Sequence, residues 1–186
     1  MRLIVFLLTL PLILGACQEI DDWTRYQLGF ENDLIITSPI RTLDASPEED
    51  TLNVIRTELF IPPYDKKLED HGDERGKVEK VRMLEFHFNL IGSDTINNMD
   101  FLQSINAWKM NGPGLEELVI GRAMKITKGS RGVEVGILFP WEQDMRPYLE
   151  NGYQIVLEFT ANEQIPDDIR FRCSSVFQVD VRRFGI

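Results

Sequence analysis

The segment "IRFRCSSVFQVDVRR", residues 169 to 183, constrains the fold more than any other part of the chain. Its alternate positions Ile169, Phe171, Cys173, Ser175, Phe177, Val179 and Val181 are nearly all apolar. The intervening positions Arg170, Arg172, Ser174, Gln178, Asp180 and Arg182 are polar, with Val176 the exception. On a strand, successive side chains point to opposite faces, so this pattern sends one face to a core and the other to water. Cys173 falls on the inward set and reads as a small buried hydrophobe.

The same period recurs upstream. "GYQIVLEFTA" aligns Tyr153, Ile155, Leu157 and Phe159, and "GVEVGILF" aligns Val133, Val135, Ile137 and Phe139. "VRMLEFHFNL" places Leu84, Phe86, Phe88 and Leu90 on one side and Met83, Glu85, His87 and Asn89 on the other. Weaker strands are expected over residues 52 to 61, 104 to 110 and 117 to 126, and "RYQLGF" and "DLIIT" supply one or two more. Turn residues separate these runs at Ser93-Asp94, Asn111-Gly112-Pro113-Gly114, Lys128-Gly129-Ser130, Asn151-Gly152 and Pro166-Asp167-Asp168. Seven to nine strands with almost no long helical pattern predict an all-β fold, an antiparallel β-sandwich, immunoglobulin-like or related. One or two short helical turns are expected over residues 141 to 150 and 98 to 103, Pro147 fitting only near the start of such a helix. The charged stretch "PPYDKKLEDHGDERGK" (62 to 77) is expected to be a mobile surface loop, with a binding role as the alternative.

The first residues read differently. Met1-Arg2 is followed by an apolar run, Leu3 to Leu14, broken only by Thr9 and Pro11. A bilayer-spanning helix needs roughly 20 apolar residues. A shorter run that ends in small residues has the pattern of a cleaved secretory signal. Leu14-Gly15-Ala16-Cys17 resembles the lipobox of bacterial lipoproteins. That resemblance implies cleavage before Cys17, with diacylglycerol on its sulfur and usually an acyl chain on the new amino group. It divides the chain into a signal peptide (1–16), an acidic tether (17–24) and a single β-sandwich domain (25–186). Gln18 differs from the aspartate associated with inner-membrane retention, and "QEIDD" is similar to the acidic export tags of some surface lipoproteins. Outer-membrane attachment is expected, with either leaflet open. From about residue 80 to 182 the order of parts also resembles β-sandwich domains of uncharacterised outer-membrane and surface lipoproteins, which implies a fold and no catalytic residues.

With 20 basic and 30 acidic residues, the chain carries a formal charge of −10, or −11 once Arg2 leaves with the signal. Such a field disfavours nucleic acid as a partner. If Cys17 carries lipid, Cys173 has no disulfide partner. His71 and His87 do not form a metal-binding spacing and no CxxC exists, so no zinc, haem or other cofactor is expected. Calcium needs only oxygens. Asp94, Asn97, Asn98 and Asp100 in one loop, or Glu69, Asp70, Asp73 and Glu74 in another, could supply them, without matching a known calcium loop. No GxSxG or glycine-rich phosphate loop is present, and a pair of carboxylates in so acidic a chain carries no information.

Two groups of residues suggest binding. Trp23, Trp108, Trp141, Tyr64 and Tyr148 stand in or beside loops or strand ends. Trp108 and Trp141 either plug the ends of the core or stack on sugar rings, with Tyr148 as a further ring. Arg170, Arg172 and Arg182, with Arg183 beside them, either meet an acidic partner or pair across strands with glutamates such as Glu158. The expected function is a non-enzymatic, lipid-anchored envelope protein that binds or scaffolds an envelope protein partner at the outer membrane. The alternative is a surface glycan-binding module. A hydrolase is the third reading.

Overall fold

The computed structural model describes residues 25–36, 53–92, 97–123, 125–161 and 169–182, with backbone alone at 34–36. The elements run β1 (Arg25–Ile36), β2 (Asn53–Arg56), α1 (Tyr64–Asp70), a 3-10 turn (Arg75–Lys77), β3 (Val78–Leu90), β4 (Leu102–Asn111), β5 (Leu118–Ala123), β6 (Gly132–Glu134), α2 (Arg146–Asn151), β7 (Gln154–Ala161) and β8 (Ile169–Val181). "RYQLGF" and most of "DLIIT" form one continuous strand. The expected signal (1–16) and tether (17–24), with Cys17 and Trp23, as well as Ser93-Asp94, Pro166 to Asp168 and Arg183, lie outside the described residues.

The strands form two four-stranded antiparallel sheets, ordered β1-β8-β3-β6 and β2-β7-β4-β5. Each strand of the first half pairs with its mirror in the second: β1 with β8, β2 with β7, β3 with β6, β4 with β5. A long antiparallel hairpin rolled up in this way is a jelly roll, a sandwich of two Greek keys. The sandwich is the expected all-β class, and its strand order is that of the jelly roll and not of the immunoglobulin sandwich.

The inward set of β8 is buried at every position from Ile169 to Val181. Across the core Phe88 stacks on Phe171 at 4.5 Å, and Trp108 presents its edge to Phe86 and Phe88. Buried side chains from Leu28 to Val181 join both sheets in one cluster.

Two strands depart from strict alternation. In β3, Met83 pairs with Phe177 and Glu85 with Val176, so Leu84 is an extra residue opposite no partner. Such a bulge shifts the side-chain phase by one. Val81 and Met83 therefore face inward before it, and Phe86, Phe88 and Leu90 after it. The sequence expectation is corrected here: Met83 is buried, and Leu84 is half-buried at the edge. In β4, Ile105 pairs with Phe159, Ala107 with Glu158 and Trp108 with Leu157, which sends Ile105, Trp108 and Met110 into the core.

Residues 62–77 are also corrected. They hold α1, whose Tyr64 and Leu68 stand one turn apart on one face and are both buried. Side chains four apart on a helix share a face, so a stretch dense in charge still offers an apolar stripe. Arg75 of the following turn holds Asp65 through a two-point ion pair. That bond keeps the Asp65 carboxyl below its ordinary value.

After β6 the chain leaves its sheet. Val135 N–H still donates to Phe86 O, but Leu138 N–H donates to Ile120 O of β5 in the other sheet. This crossing closes tightly over Gly121, where a Cβ would sit 2.1 Å from Val135 Cγ1 and 2.7 Å from Gly136 O. Only a residue without a side chain fits there.

Candidate functional site

The crossing segment returns to the first sheet at Met145, whose N–H donates to Val81 O at 2.8 Å. Asp144 fixes this return. Its carboxylate accepts from Val81 N–H at 3.1 Å, Arg146 N–H at 3.1 Å and Arg146 Nε at 2.7 Å. Arg146 in turn donates to Val78 O at 3.0 Å, and its bond to Asp144 pushes its pKa further up. Pro147 sits at the start of α2 as its fixed backbone requires.

Between the anchors at Leu138 and Met145 stands a short apolar loop. Leu138 is 58% exposed and Trp141 57%. The Trp141 ring covers the Arg82 guanidinium, 5.2 Å from the ring centre. Arg82 points outward from β3 and donates to Asp180 of β8. The Asp180 carboxylate also lies 3.4 Å from Arg25 Nε at the start of β1 and accepts from Gln178 Nε2 at 2.8 Å. Trp141, Arg82, Asp180 and Arg25 thus form one chain of contacts across the end of the sheet where β1 begins. A groove of about 250 Å³ runs between the loop and the bulged edge of β3, lined by Leu84, Ile137, Phe139, Pro140, Trp141 and Arg82 among others. An aromatic face, a cation and an apolar floor can receive an apolar or ring-shaped group.

The sequence candidates separate sharply. Trp108 is fully buried and Tyr148 is 3% exposed. Neither is a surface binding residue, because the β4 bulge turns Trp108 inward and Tyr148 is a buried residue of α2, its hydroxyl donating to Glu116 O. Burial pushes the Tyr148 hydroxyl up. Tyr64 is on the buried face of α1. Trp141 does not plug the core, since more than half of it is exposed.

The arginines of β8 face outward as the alternation requires. Arg172 reaches Asp33 at 2.9 Å and Glu31 at 3.3 Å on β1, and Arg182 meets Glu79 at 2.8 Å on β3. Arg170 is exposed. Glu158 belongs to the other sheet, where it pairs with Lys109 at 2.6 Å, so it is not the partner of these arginines. The sequence marks neither Arg82 nor Asp180 as a site residue and expects Leu84 in the core; the bulge after Met83 takes Leu84 to the groove instead.

Asp94 of the first acidic loop lies outside the described residues, and Glu69, Asp70, Asp73 and Glu74 of the second form no metal-ligand group. Asp100 accepts from Gly129 N–H at 2.6 Å, and Asn98 Oδ1 accepts from Asp100 N–H at 3.0 Å, so both work as loop braces. No group of three or more potential metal ligands occurs among the described residues. His87 lies 3.1 Å from Glu85, and His71 stacks on Tyr26 at 4.1 Å. Compared with the known protein families and with the curated proteins, the chain matches none.

Proposed function

We propose that this chain is a lipid-anchored, non-enzymatic envelope protein that binds or scaffolds at the outer membrane through its jelly-roll body. The observation that carries the reading is a spacing. The lipobox cysteine, Cys17, stands eight positions before Arg25, where β1 begins. Eight residues span at most about 28 Å, so the body would be held against the bilayer that receives the lipid. Two or more acyl chains, each contributing about 0.8 kcal/mol per buried CH₂, make such anchoring stable. For a protein partner, the edge formed by β2 and the extended residues after it offers Val54, Leu59 and Ile61, all exposed at 46 to 68%. The glycan reading rested on three rings, and two of them, Trp108 and Tyr148, are buried.

Mass spectrometry of the protein from its native membranes tests the anchor. The expected N-terminal peptide begins at Cys17 and carries a diacylglyceryl thioether and an amide-linked acyl chain. Cys17→Ala is expected to release the protein from the membrane fraction. An unmodified sulfur, or a Cys17→Ala protein that stays with the membrane, would overturn the proposal.

A further inference from the structure

We propose that the loop from Leu138 to Trp141 is a second membrane contact, seated in the interfacial zone of the same bilayer that holds the lipid on Cys17. The inference rests on the anchoring proposed above and assigns a role to a surface that anchoring alone leaves unused. Three observations point to a lipid surface. First, the loop exposes Leu138 and Trp141 three residues apart, with Pro140 exposed between them. A large indole with an apolar body and a polar N–H favours the level of the headgroups. Second, Arg82 lies against the ring, the arrangement of a cation beside an interfacial aromatic. Third, the loop stands at the end of the sandwich where the tether enters. Arg25 is joined to Arg82 through the single carboxylate of Asp180, and Arg82 to Trp141. In the order β1-β8-β3, β1 and β3 are two strand spacings apart, about 10 Å. A tether of eight residues, reaching at most about 28 Å, therefore brings this end of the body to the bilayer before any other.

Charge selects the lipid. The mature chain is strongly acidic, and Glu142 and Asp144 flank the loop, so an anionic surface would repel it. The contact is with zwitterionic headgroups and the upper acyl region.

The test uses the full lipidated chain on vesicles of phosphatidylcholine, with a nitroxide on Leu138→Cys and, separately, on Ile91→Cys at the opposite end of β3. Labelling is selective, because Cys173 is buried with its thiol pushed up to about 12 and Cys17 is blocked as a thioether. On vesicles the label at 138 is expected to lose collisions with a water-soluble nickel chelate and gain collisions with oxygen, while the label at 91 stays wet. Adding Trp141→Ser to the Leu138→Cys chain is expected to return the 138 label to water without releasing the protein from the vesicles. If both labels remain equally wet while the mass confirms lipid on Cys17, the second contact is refuted and the anchor stands. If the mass shows a bare sulfur, both fall. Shielding of the 138 label by a soluble polysaccharide, with none by vesicles, would assign the loop to glycan and overturn the lipid contact.

Discussion

Replacing Trp108 in two ways separates the worth of its ring from the cost of its N–H. The ring is fully buried, edge-on to Phe86 at 6.5 Å and Phe88 at 5.7 Å, and Nε1 finds no acceptor among the described residues. Trp108→Ala removes the ring, a change that costs about 3–5 kcal/mol in a packed core. For a body of this size the melting temperature falls about 2–4 °C per kcal/mol, so a drop of roughly 6–20 °C is expected. Trp108→Phe keeps an aromatic ring and opens a void of about 40 Å³, worth about 1 kcal/mol at ~24 cal/mol per Å³. It also deletes an N–H whose unpaired burial costs about 1–3 kcal/mol. The transfer free energy of the deleted ring atoms adds to the cavity term, so the two effects oppose each other and are of similar size. Trp108→Phe is therefore expected to lie within about 2 kcal/mol of the parent, well short of the loss in Trp108→Ala. Urea unfolding with an unchanged m-value reads both variants. Equal losses for Phe and Ala would refute the reasoning, since the N–H would then be bonded in the native state.

Three further outcomes follow from the geometry. Met83→Ala is expected to cost about 2–5 kcal/mol and Leu84→Ala less than about half as much, because the bulge buries the first and leaves the second at the edge; denaturant midpoints that rank them the other way would restore strict alternation through β3. Burial raises the ionisation of Cys173 to about 12 and pushes Tyr64 and Tyr153 above their ordinary values. The unfolded chain ionises these groups first, from about pH 8.5 for cysteine and about 10 for tyrosine, so it binds fewer protons there and stability falls as pH rises towards the folded values. Cys173→Ala should flatten the first part of that decline in an alkaline unfolding series, and an unchanged slope would show the thiol to be uninvolved. Gly152 closes α2 with φ of 81° and ψ of 164°, where a Cβ would meet Phe60 O at 2.8 Å. Backbone in that region costs a side chain about 1–3 kcal/mol, so Gly152→Ala should lower the melting temperature, and a variant as stable as the parent would remove the strain argument.

How much of this was legible in the sequence depends on how local each feature is. β8 could be read residue by residue, because a strand paired on both sides, with one buried face, obeys its own period over thirteen residues. The buried stripe of α1 was also present, as Tyr64 and Leu68 four positions apart. Dense surrounding charge disguised it, although charge on the wet face of a helix says nothing against its dry one. The strand order could not be read, since alternation fixes which face a residue takes and not which strand lies beside it. Trp108 and Trp141 look alike in the sequence, each an indole amid mixed neighbours. A bulge at β4 turns one into the core, and two anchors across the open edge hold the other in solvent. The same limit hides the candidate site. Nothing local distinguishes Arg82 from Arg170, both outward arginines on long strands. Arg82 acquires its place because β8 brings Asp180 beside it and the return from β5 lays Trp141 over it. Those are contacts between residues about 60 and 100 positions apart, and a period of two carries no information about them. The strand alternation in this chain therefore encodes the core, while its surface chemistry is set where alternation fails, at the bulge and at the crossing.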